Sequence, residues 1–378
     1  MRLRDLTEIR KNLLSEISKN PYATNKRLME VMGSDETYPA IVKRQLTEQG
    51  YLIENNFELD YGKICKNRVD ILYASLVFDG SYEYIQELLE NIRSYRASFS
   101  LIDICFSSYL VSFYSDNNEK IKKILDYLVE KNILYSYVLY KRSKKYYWRY
   151  PVFSQKKEKY NSLSTENLLK DTDTPDLEFG EFDRRISYMD IRIIDNLQKG
   201  RFKCRKIYEY EKKNGNSFSY FKIKEHFRKL IKDKIIEKKP YVFPFPYNEC
   251  YKFVLCIETD DFEKTKKIIF NIGRNERIFA KITYVSSIDG KRKFGFAEFV
   301  TSPIFFVNLM RIIDRVEEIR EKRVYTVKNY LQGFPMRKHP LNYYDLRRQE
   351  IHYPFDKFFQ DLKTMIENYE DKIAFIKH

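Results

Sequence analysis

Glycine and proline are scarce in this chain, with 11 of each among 378 residues. Loop-rich and disordered chains are enriched in these residues, so the composition excludes both classes. The apolar fraction is 43%, and 32 Tyr and 28 Phe supply much of it. We therefore expect an ordered protein, and its length predicts two to four domains.

Cysteine and histidine are also few. The five cysteines show no pairing of the zinc or disulfide kind: Cys65, Cys105, Cys204, Cys250 and Cys256. The four histidines form no HExxH or comparable motif: His226, His339, His352 and His378. We expect buried free thiols and predict neither a metal nor another cofactor.

Long apolar runs are missing too. No window approaches 18 uncharged apolar residues, and the opening MRLRDLTEIRKN lacks the apolar segment of a signal peptide. The prediction is a cytoplasmic protein without a membrane partner.

Positive charge is unevenly distributed. Residues 1–180 hold 27 Lys and Arg against 26 Asp and Glu, whereas residues 181–378 hold 42 against 28. Residues 201–239 alone hold 14 basic and 5 acidic side chains. Such a concentration is typical of a phosphate-binding surface, although a solvated lysine-rich surface gives the same count.

An internal repeat organises the chain. The stretch KRQLTEQGYLIE near residue 50 returns as RKLIKDKIIEKK near residue 235, and each copy ends a helical pattern and begins a strand. Short amphipathic helices precede both copies. The patterns predict a winged helix-turn-helix domain at residues 1–62 and a second, strongly basic one at residues 186–247.

The same strand and helix order follows each winged domain. Apolar strands and amphipathic helices alternate as βαββαβ over residues 66–153 and again over residues 250–332. This order predicts a ferredoxin-like antiparallel sheet with both helices on one face. The fold class is therefore α+β, and two such modules are able to pack sheet to sheet within one chain.

Two further segments complete the organisation. Residues 154–185 are polar and then acidic, which predicts a linker. Residues 333–378 form a C-terminal extension whose apolar residues after Pro354 recur at helical spacing. That amphipathic helix would pack on its own chain or bind a partner such as the transcription machinery.

The motifs resemble the archaeal and bacterial Lrp/AsnC family of transcription regulators, here as a tandem duplication. The matching stretches are MDIRIIDNLQKGR at residues 189–201 and the helix ends KRQLTEQGYLI and RKLIKDKII. The family's Gly-Asp-Tyr-Asp-like ligand loop is not recognisable in either copy. The resemblance implies DNA binding through the third helix of each winged domain, and pairing through the βαββαβ modules within or between chains.

The leading hypothesis is thus a sequence-specific regulator of transcription with double-stranded DNA as its partner, and not an enzyme. Arg reads guanine, whereas Lys and hydroxyl groups serve phosphate. The candidate DNA contacts are Thr37, Tyr38, Arg44, Ser219, Tyr220, Lys222, Arg228, Lys229 and the wing residues Lys238 and Lys239.

An enzyme remains the alternative, because siroheme decarboxylases share this domain order. In that hypothesis a basic cleft between the modules holds a carboxylate-rich tetrapyrrole, and Arg337, Lys338 and His339 bind its carboxylates. The aromatic cluster KKYYWRY at residues 144–150 contains the only Trp. It would stack on bases or a flat ligand, or form an edge strand covering a module interface.

Overall fold

The computed structural model describes residues 6–33, 38–103, 105–154, 163–328 and 340–376. The chain is α+β, as predicted, and its two halves share one order of elements. The elements of the first half are α1 (Glu8–Lys19), α2 (Asn25–Met32), α3 (Tyr38–Glu48), β1 (Leu52–Ile53), β2 (Phe57–Leu59), α4 (Tyr61–Ile64), β3 (Asp70–Phe78), α5 (Tyr82–Asn91), β4 (Tyr95–Ser100), β5 (Ser107–Ser115), α6 (Asn118–Glu130), β6 (Leu134–Arg142) and β7 (Tyr147–Arg149).

The second half has the same order of winged-domain and βαββαβ elements, preceded by α7 and followed by an extension, and its described residues form no α-helix corresponding to α4 and no strand corresponding to β7. Its elements are α7 (Thr165–Leu169), α8 (Tyr188–Gln198), α9 (Cys204–Lys213), α10 (Tyr220–Lys232), β8 (Ile236–Lys238), β9 (Tyr241–Val242), β10 (Tyr251–Thr259), α11 (Phe262–Asn271), β11 (Phe279–Ser286), β12 (Lys293–Thr301), α12 (Pro303–Ile313), β13 (Ile319–Thr326), β14 (Tyr344–Asp345), β15 (Glu350–Ile351) and α13 (Phe355–Ile376).

Local sequence signals explain the helices of the winged domains. The Thr24 hydroxyl accepts a hydrogen bond from the Arg27 amide (3.3 Å), and Gly33 ends α2 in the left-handed conformation at φ 60°. Ser219 caps α10 in the same way, accepting from the Lys222 amide at 3.2 Å. The predicted order of three helices is confirmed in both halves.

The wings differ from the prediction. We expected each winged domain to form its own wing, but β1 pairs with β9 and β2 pairs with β8, so the strands pair between the two halves. The Asn56 amide also donates to the Lys239 carbonyl at 2.9 Å. Pro240, Pro244 and Pro246 lack the amide hydrogens that a regular return strand requires. The two winged domains are consequently joined through shared β-structure.

The βαββαβ modules join at their sheet edges into one sheet of order β13-β10-β12-β11-β6-β3-β5-β4, with β7 also on β11. The two outer strands of this sheet, β4 and β13, also come together at their ends. Leu101 forms a β-bridge with Val327, and the Ile102 amide donates a hydrogen bond to the Thr326 carbonyl at 2.8 Å. The open faces turn toward each other, because the ring of Tyr73 on β3 stacks on Phe296 of β12 at 4.9 Å. The two modules thus face each other within one chain, as the sequence allowed, but their sheets are also joined at both edges and enclose a barrel-like interior.

One predicted boundary in the second module is wrong. Within the predicted βαββαβ order, the apolar pattern of residues 305–320 predicts the second helix of this module, but α12 begins at Pro303 after its Ser302 cap and ends at Ile313. Residues 319–326 form β13 instead. There Glu321 bonds both Arg292 and Arg323, which holds this charged segment as a strand against β10.

Two segments predicted to be peripheral are packed against the chain. In the predicted linker, Leu168 and Leu177 are buried in the core of the second module, and the Asn271 amide donates to the Leu168 carbonyl at 3.1 Å. Helix α13 lies on the first module, where Tyr369 stacks on Tyr84 at 4.2 Å. The C-terminal helix therefore packs on its own chain.

The cysteines are free thiols, and burial raises the pKa of Cys65, Cys250 and Cys256. Cys250 and Cys256 each have a pKa of about 12. Cys105 is exposed, contrary to the expectation of burial. No helix among the described ranges is long and apolar enough to cross a membrane.

Candidate active site

The interior between the modules contains a cavity of about 270 Å³ that reaches up to the paired wing strands. Strands β2, β4, β6, β7 and β11 line it, so both halves contribute. A second lobe of about 80 Å³ continues between β10, β11 and β12. Arg96, Tyr241 and Lys281 border both spaces, so we treat them as a main lobe and a small lobe of one central cavity.

A chain of buried polar groups borders both lobes, because Tyr146 lines the main lobe, Glu298 lines the small lobe and Lys281 lines both. The Tyr73 and Tyr146 hydroxyls are hydrogen-bonded, Tyr146 donates to Glu298 Oε1 at 2.5 Å, and Lys281 forms an ion pair with the same carboxylate. Burial alone would raise the pKa of Glu298, but Lys281 and the Tyr146 hydrogen bond outweigh it and lower the pKa overall.

The protonation states of the same chain follow from burial and charge. Burial and the neighbouring Glu298 charge raise the pKa of Tyr146 well above its usual value. Burial would lower the pKa of Lys281, but Glu298 outweighs it and raises the pKa. At neutral pH the chain is therefore a phenol, a carboxylate and an ammonium ion.

Arg142 is the most unusual residue of the cavity. Its side chain is only 4% exposed, it stacks over the Tyr146 ring at 4.3 Å, and its Nε is buried with no hydrogen-bond partner. None of the described carboxylates lies within ion-pair distance of it. A buried charge without a counter-ion costs several kcal/mol, so its retention points to an anion that binds there.

Arg96 stands beside Arg142 for a local reason. The pairing of β4 with β5 shifts register between Tyr95 and Ala97, which makes Arg96 the extra residue of a β-bulge. Bulges re-aim side chains and occur often near functional sites. The Arg96 Nε donates to the Tyr114 hydroxyl at 3.2 Å, and no ion pair joins it to a carboxylate within the described ranges.

The other charged side chains of the main lobe are largely neutralised. Asp60 pairs with Lys145 at 2.7 Å, and Glu237 pairs with Lys239 at 2.8 Å. Burial raises the pKa of Glu58, which accepts a hydrogen bond from Trp148 Nε1 at 2.8 Å. Among the described side chains that line the lobe, Arg96, Arg142 and the exposed Lys234 have no salt-bridge partner, although Glu58 attracts Arg142 at longer range.

The predicted DNA-contact residues lie elsewhere, on the winged domains. All five predicted contact residues of α10 and its cap are exposed: Ser219 at the cap, Tyr220, Lys222, Arg228 and Lys229. On α3, Tyr38 is exposed, Arg44 is exposed and pairs with Glu48 at 3.8 Å, and Thr37 lies outside the described residues. The α10 residues share one helix, so the structure brings together the basic face that the sequence predicted.

The wing lysines are placed differently from the α10 residues. Lys238 is half-buried and its Nζ lies 3.4 Å from Glu54. Lys239 lines the central cavity beside Glu237. The pairing of wings between the halves turns both ammonium groups toward carboxylates of the protein.

Sequence reasoning did not single out Arg96, Arg142, Lys281 and Glu298. A signal was present, because Lys281 is the only charge in the strand FAKITYVS and Glu298 is the only acidic residue in the strand KFGFAEFVT. The KKYYWRY cluster was recognised, and it forms β7, an edge strand on β11. Its Tyr146 and Trp148 also line the cavity, so the cluster covers the module interface and faces a candidate ligand site.

Comparison with known proteins gives matches only at the level of structure. No protein-family profile and no curated protein sequence matches the chain. A crystal structure of the siroheme decarboxylase NirDL in complex with an iron-uroporphyrin III analogue matches with a TM-score of 0.50 and 8% identity, over 94% of this chain and 99% of that chain.

Two further solved structures also match the chain. Another crystal structure of NirDL matches with a TM-score of 0.49 and 10% identity, over 96% of this chain and 100% of that chain. LrpC of B. subtilis matches with a TM-score of 0.29 and 16% identity, over 36% of this chain and 92% of that chain. At these identities the likeness to NirDL shows the fold alone.

These findings correct one expectation. We expected a chain that is not an enzyme, and that expectation is contradicted by the NirDL complex, the structure of an enzyme that matches over 94% of this chain. The Lrp/AsnC resemblance holds at the coarse level of shared domain order. Three residues of the enzyme alternative, Arg337, Lys338 and His339, lie outside the described residues.

Proposed function

We propose that this protein is an enzyme of the siroheme-decarboxylase type, which binds a flat polycarboxylate in the central cavity and removes carboxylate groups as CO2. The observation that carries the proposal is the pair of guanidinium groups, Arg96 and Arg142, that face the cavity without a carboxylate partner among the described residues. Arginine binds carboxylates through two parallel hydrogen bonds, and such charge-assisted bonds are among the strongest in proteins.

The walls of the main lobe suit a planar ring. Trp148, Tyr241 and Phe57 line it, and Trp148 lies edge-on to Tyr241 with ring centroids 4.9 Å apart. These aromatic side chains share the lining with many polar and charged ones, so the lobe suits a flat ring that carries charged substituents. This combination favours an aromatic or conjugated ligand over a simple aliphatic acid.

Cavity size sets how such a ligand would sit. The main lobe, at about 270 Å³, lies slightly below the usual volume of ligand pockets, roughly 300–1,000 Å³. A tetrapyrrole would therefore keep part of its ring outside, and its carboxylate arms would reach Arg96 and Arg142.

The chemistry requires one proton for each carboxylate removed. Breaking the bond between the arm and its carboxylate releases CO2, and the electron pair of that bond ends in a new C–H bond. We assign proton delivery to the Tyr146 phenol, because it lines the main lobe and stays protonated at neutral pH. In the structure this hydroxyl donates to Glu298, so the proton would have to turn from Glu298 to the carbon, and a proton from solvent would then restore the phenol. The guanidinium groups would hold the carboxylates that are not reacting.

An absorbance titration tests the binding step. Purified protein is titrated with iron-uroporphyrin III, with Arg142→Met and the exposed control Arg44→Met in parallel. We expect saturable binding by the wild type and the control, and at least ten-fold weaker binding by Arg142→Met. Equal affinity of all three proteins, or no binding by the wild type, would overturn the proposal.

DNA binding is the second candidate function, and the exposed basic face of α10 favours it. Lys222, Arg228 and Lys229 are exposed on a helix capped at Ser219, as a recognition helix requires. Fluorescence anisotropy with duplex DNA tests it, since phosphate contacts make the affinity fall steeply with salt. Absence of binding at low salt would remove this candidate without touching the enzyme proposal.

A further inference from the structure

We propose that the small lobe is a second carboxylate-binding subsite, with Lys252 as its cation. This inference rests on the proposed function in one respect: the occupant is an arm of the same polycarboxylate that Arg142 holds in the main lobe. The two subsites would together select ligands whose carboxylates are set on separate sides of the ring.

The first argument is the state of Lys252 itself. Its side chain is only 6% exposed, and its Nζ is buried with no hydrogen-bond partner. The ammonium group lies 3.0 Å from the centroid of the Tyr247 ring, a cation–π contact that only partly replaces lost solvation. An anion in the small lobe would complete its coordination.

The second argument comes from the correspondence between the two modules. Strand β3 pairs with β5 from Asp70 opposite Ser115, and β10 pairs with β12 from Tyr251 opposite Thr301. Ile71 follows Asp70, and Lys252 follows Tyr251, so Ile71 of the first module is the counterpart of Lys252.

Beside this corresponding position, a cation is found in the first module as well. Ile71 is opposite Arg142 on β6. The β10–β13 register places Lys252 opposite Val327, whose amide donates to the Lys252 carbonyl at 3.0 Å. Each module therefore has one cation without an ion pair at the same corner of its sheet, on β6 in the first and on β10 in the second.

The third argument is the surroundings of the small lobe. Arg96 and Lys281 border it, and Glu298, which borders it too, already pairs with Lys281. Tyr241, Tyr247 and Phe279 provide apolar walls. A volume of about 80 Å³ admits a single carboxylate group and excludes a ring. Burial lowers the pKa of Lys252 to about 8, so at neutral pH the amine is still mainly charged and an anion would raise its pKa.

The test compares Lys252→Met, Lys252→Arg and the exposed control Lys291→Met in the same iron-uroporphyrin titration. We expect Lys252→Met to weaken binding about ten-fold, equivalent to about 1.4 kcal/mol, and Lys252→Arg and the control to remain within a few-fold of wild type. Unchanged binding by Lys252→Met beside tight wild-type binding overturns the inference and leaves the proposed function intact.

A second measurement decides the matter if no porphyrin binds at all. The full chain is labelled with ¹³C at the lysine ε-carbon, and the Lys252 resonance, assigned by its loss in Lys252→Arg, is titrated with pH in the presence and absence of acetate. We expect acetate to raise the pKa of Lys252. A pKa independent of acetate shows that the lobe holds water only and overturns the inference.

Discussion

Replacing Arg142 with Met should make the protein more stable and at the same time impair its site. The guanidinium is 4% exposed and has no carboxylate partner among the described residues. A buried guanidinium without a salt bridge costs several kcal/mol, and the longer-range attraction of Glu58 together with the cation–π contact with Tyr146 offsets only part of that cost. The difference predicts that Arg142→Met is more stable than the wild type by about 1–3 kcal/mol.

The assay is denaturant unfolding of ligand-free protein, read as a shift of the transition midpoint at constant slope. Arg44→Met is the matched control, because Arg44 is exposed and pairs only loosely with Glu48 at 3.8 Å, so its change should stay within about 0.5 kcal/mol. Loss of stability in Arg142→Met would refute the reasoning, since it would show that Arg142 is satisfied within the fold and serves to hold it.

Three further predictions follow from the same structure. Burial lowers the pKa of Lys252 to about 8 in the folded protein, so above that pH the unfolded protein binds more protons than the folded protein. The free energy of unfolding of the wild type should therefore rise relative to that of Lys252→Met between pH 8 and about 10, as measured by denaturant unfolding at each pH. A parallel pH dependence in the two proteins would contradict the assignment. Replacing Lys222, Arg228 and Lys229 together with Gln should reduce the salt slope of DNA affinity by about 2 to 3, measured by anisotropy, and an unchanged slope would exclude α10 as the phosphate-contacting surface. Leu168→Ala should cost about 2–5 kcal/mol in unfolding experiments, because Leu168 is fully buried in the second core; a cost near zero would mean that the segment is a loose linker after all.

Elements whose signals are local were well predicted from the sequence. The sequence predicts Thr24 as the cap and Gly33 as the end of α2, and either Ser217 or Ser219 as the cap of α10. The structure confirms Thr24, Gly33 and Ser219, because caps depend on neighbouring residues alone. The predicted end of α12 was wrong, since the contacts that keep Glu321 in a strand come from Arg292, a residue distant in sequence.

Pairings between distant segments were the part that sequence patterns missed. The exchange of wing strands and the closure of the barrel at Leu101 and Val327 join segments far apart in the chain, and periodicity within a strand does not specify its partner. For the same reason, the residues of the candidate active site were not recognised from the sequence. Lys252 and Lys281 look alike as lone lysines in apolar strands, but only the register shows that Lys281 meets Glu298 while Lys252 does not.

The central claim is that the cavity between the modules removes carboxylate groups from a polycarboxylate ring. Its most direct test is incubation of siroheme with the purified full chain under anaerobic conditions, followed by mass spectrometry of the pigment. The account predicts products lighter by the mass of CO2 for each arm processed with the wild type and with Arg44→Met, and none with Arg142→Met. Unaltered siroheme after prolonged incubation with the wild type would contradict it.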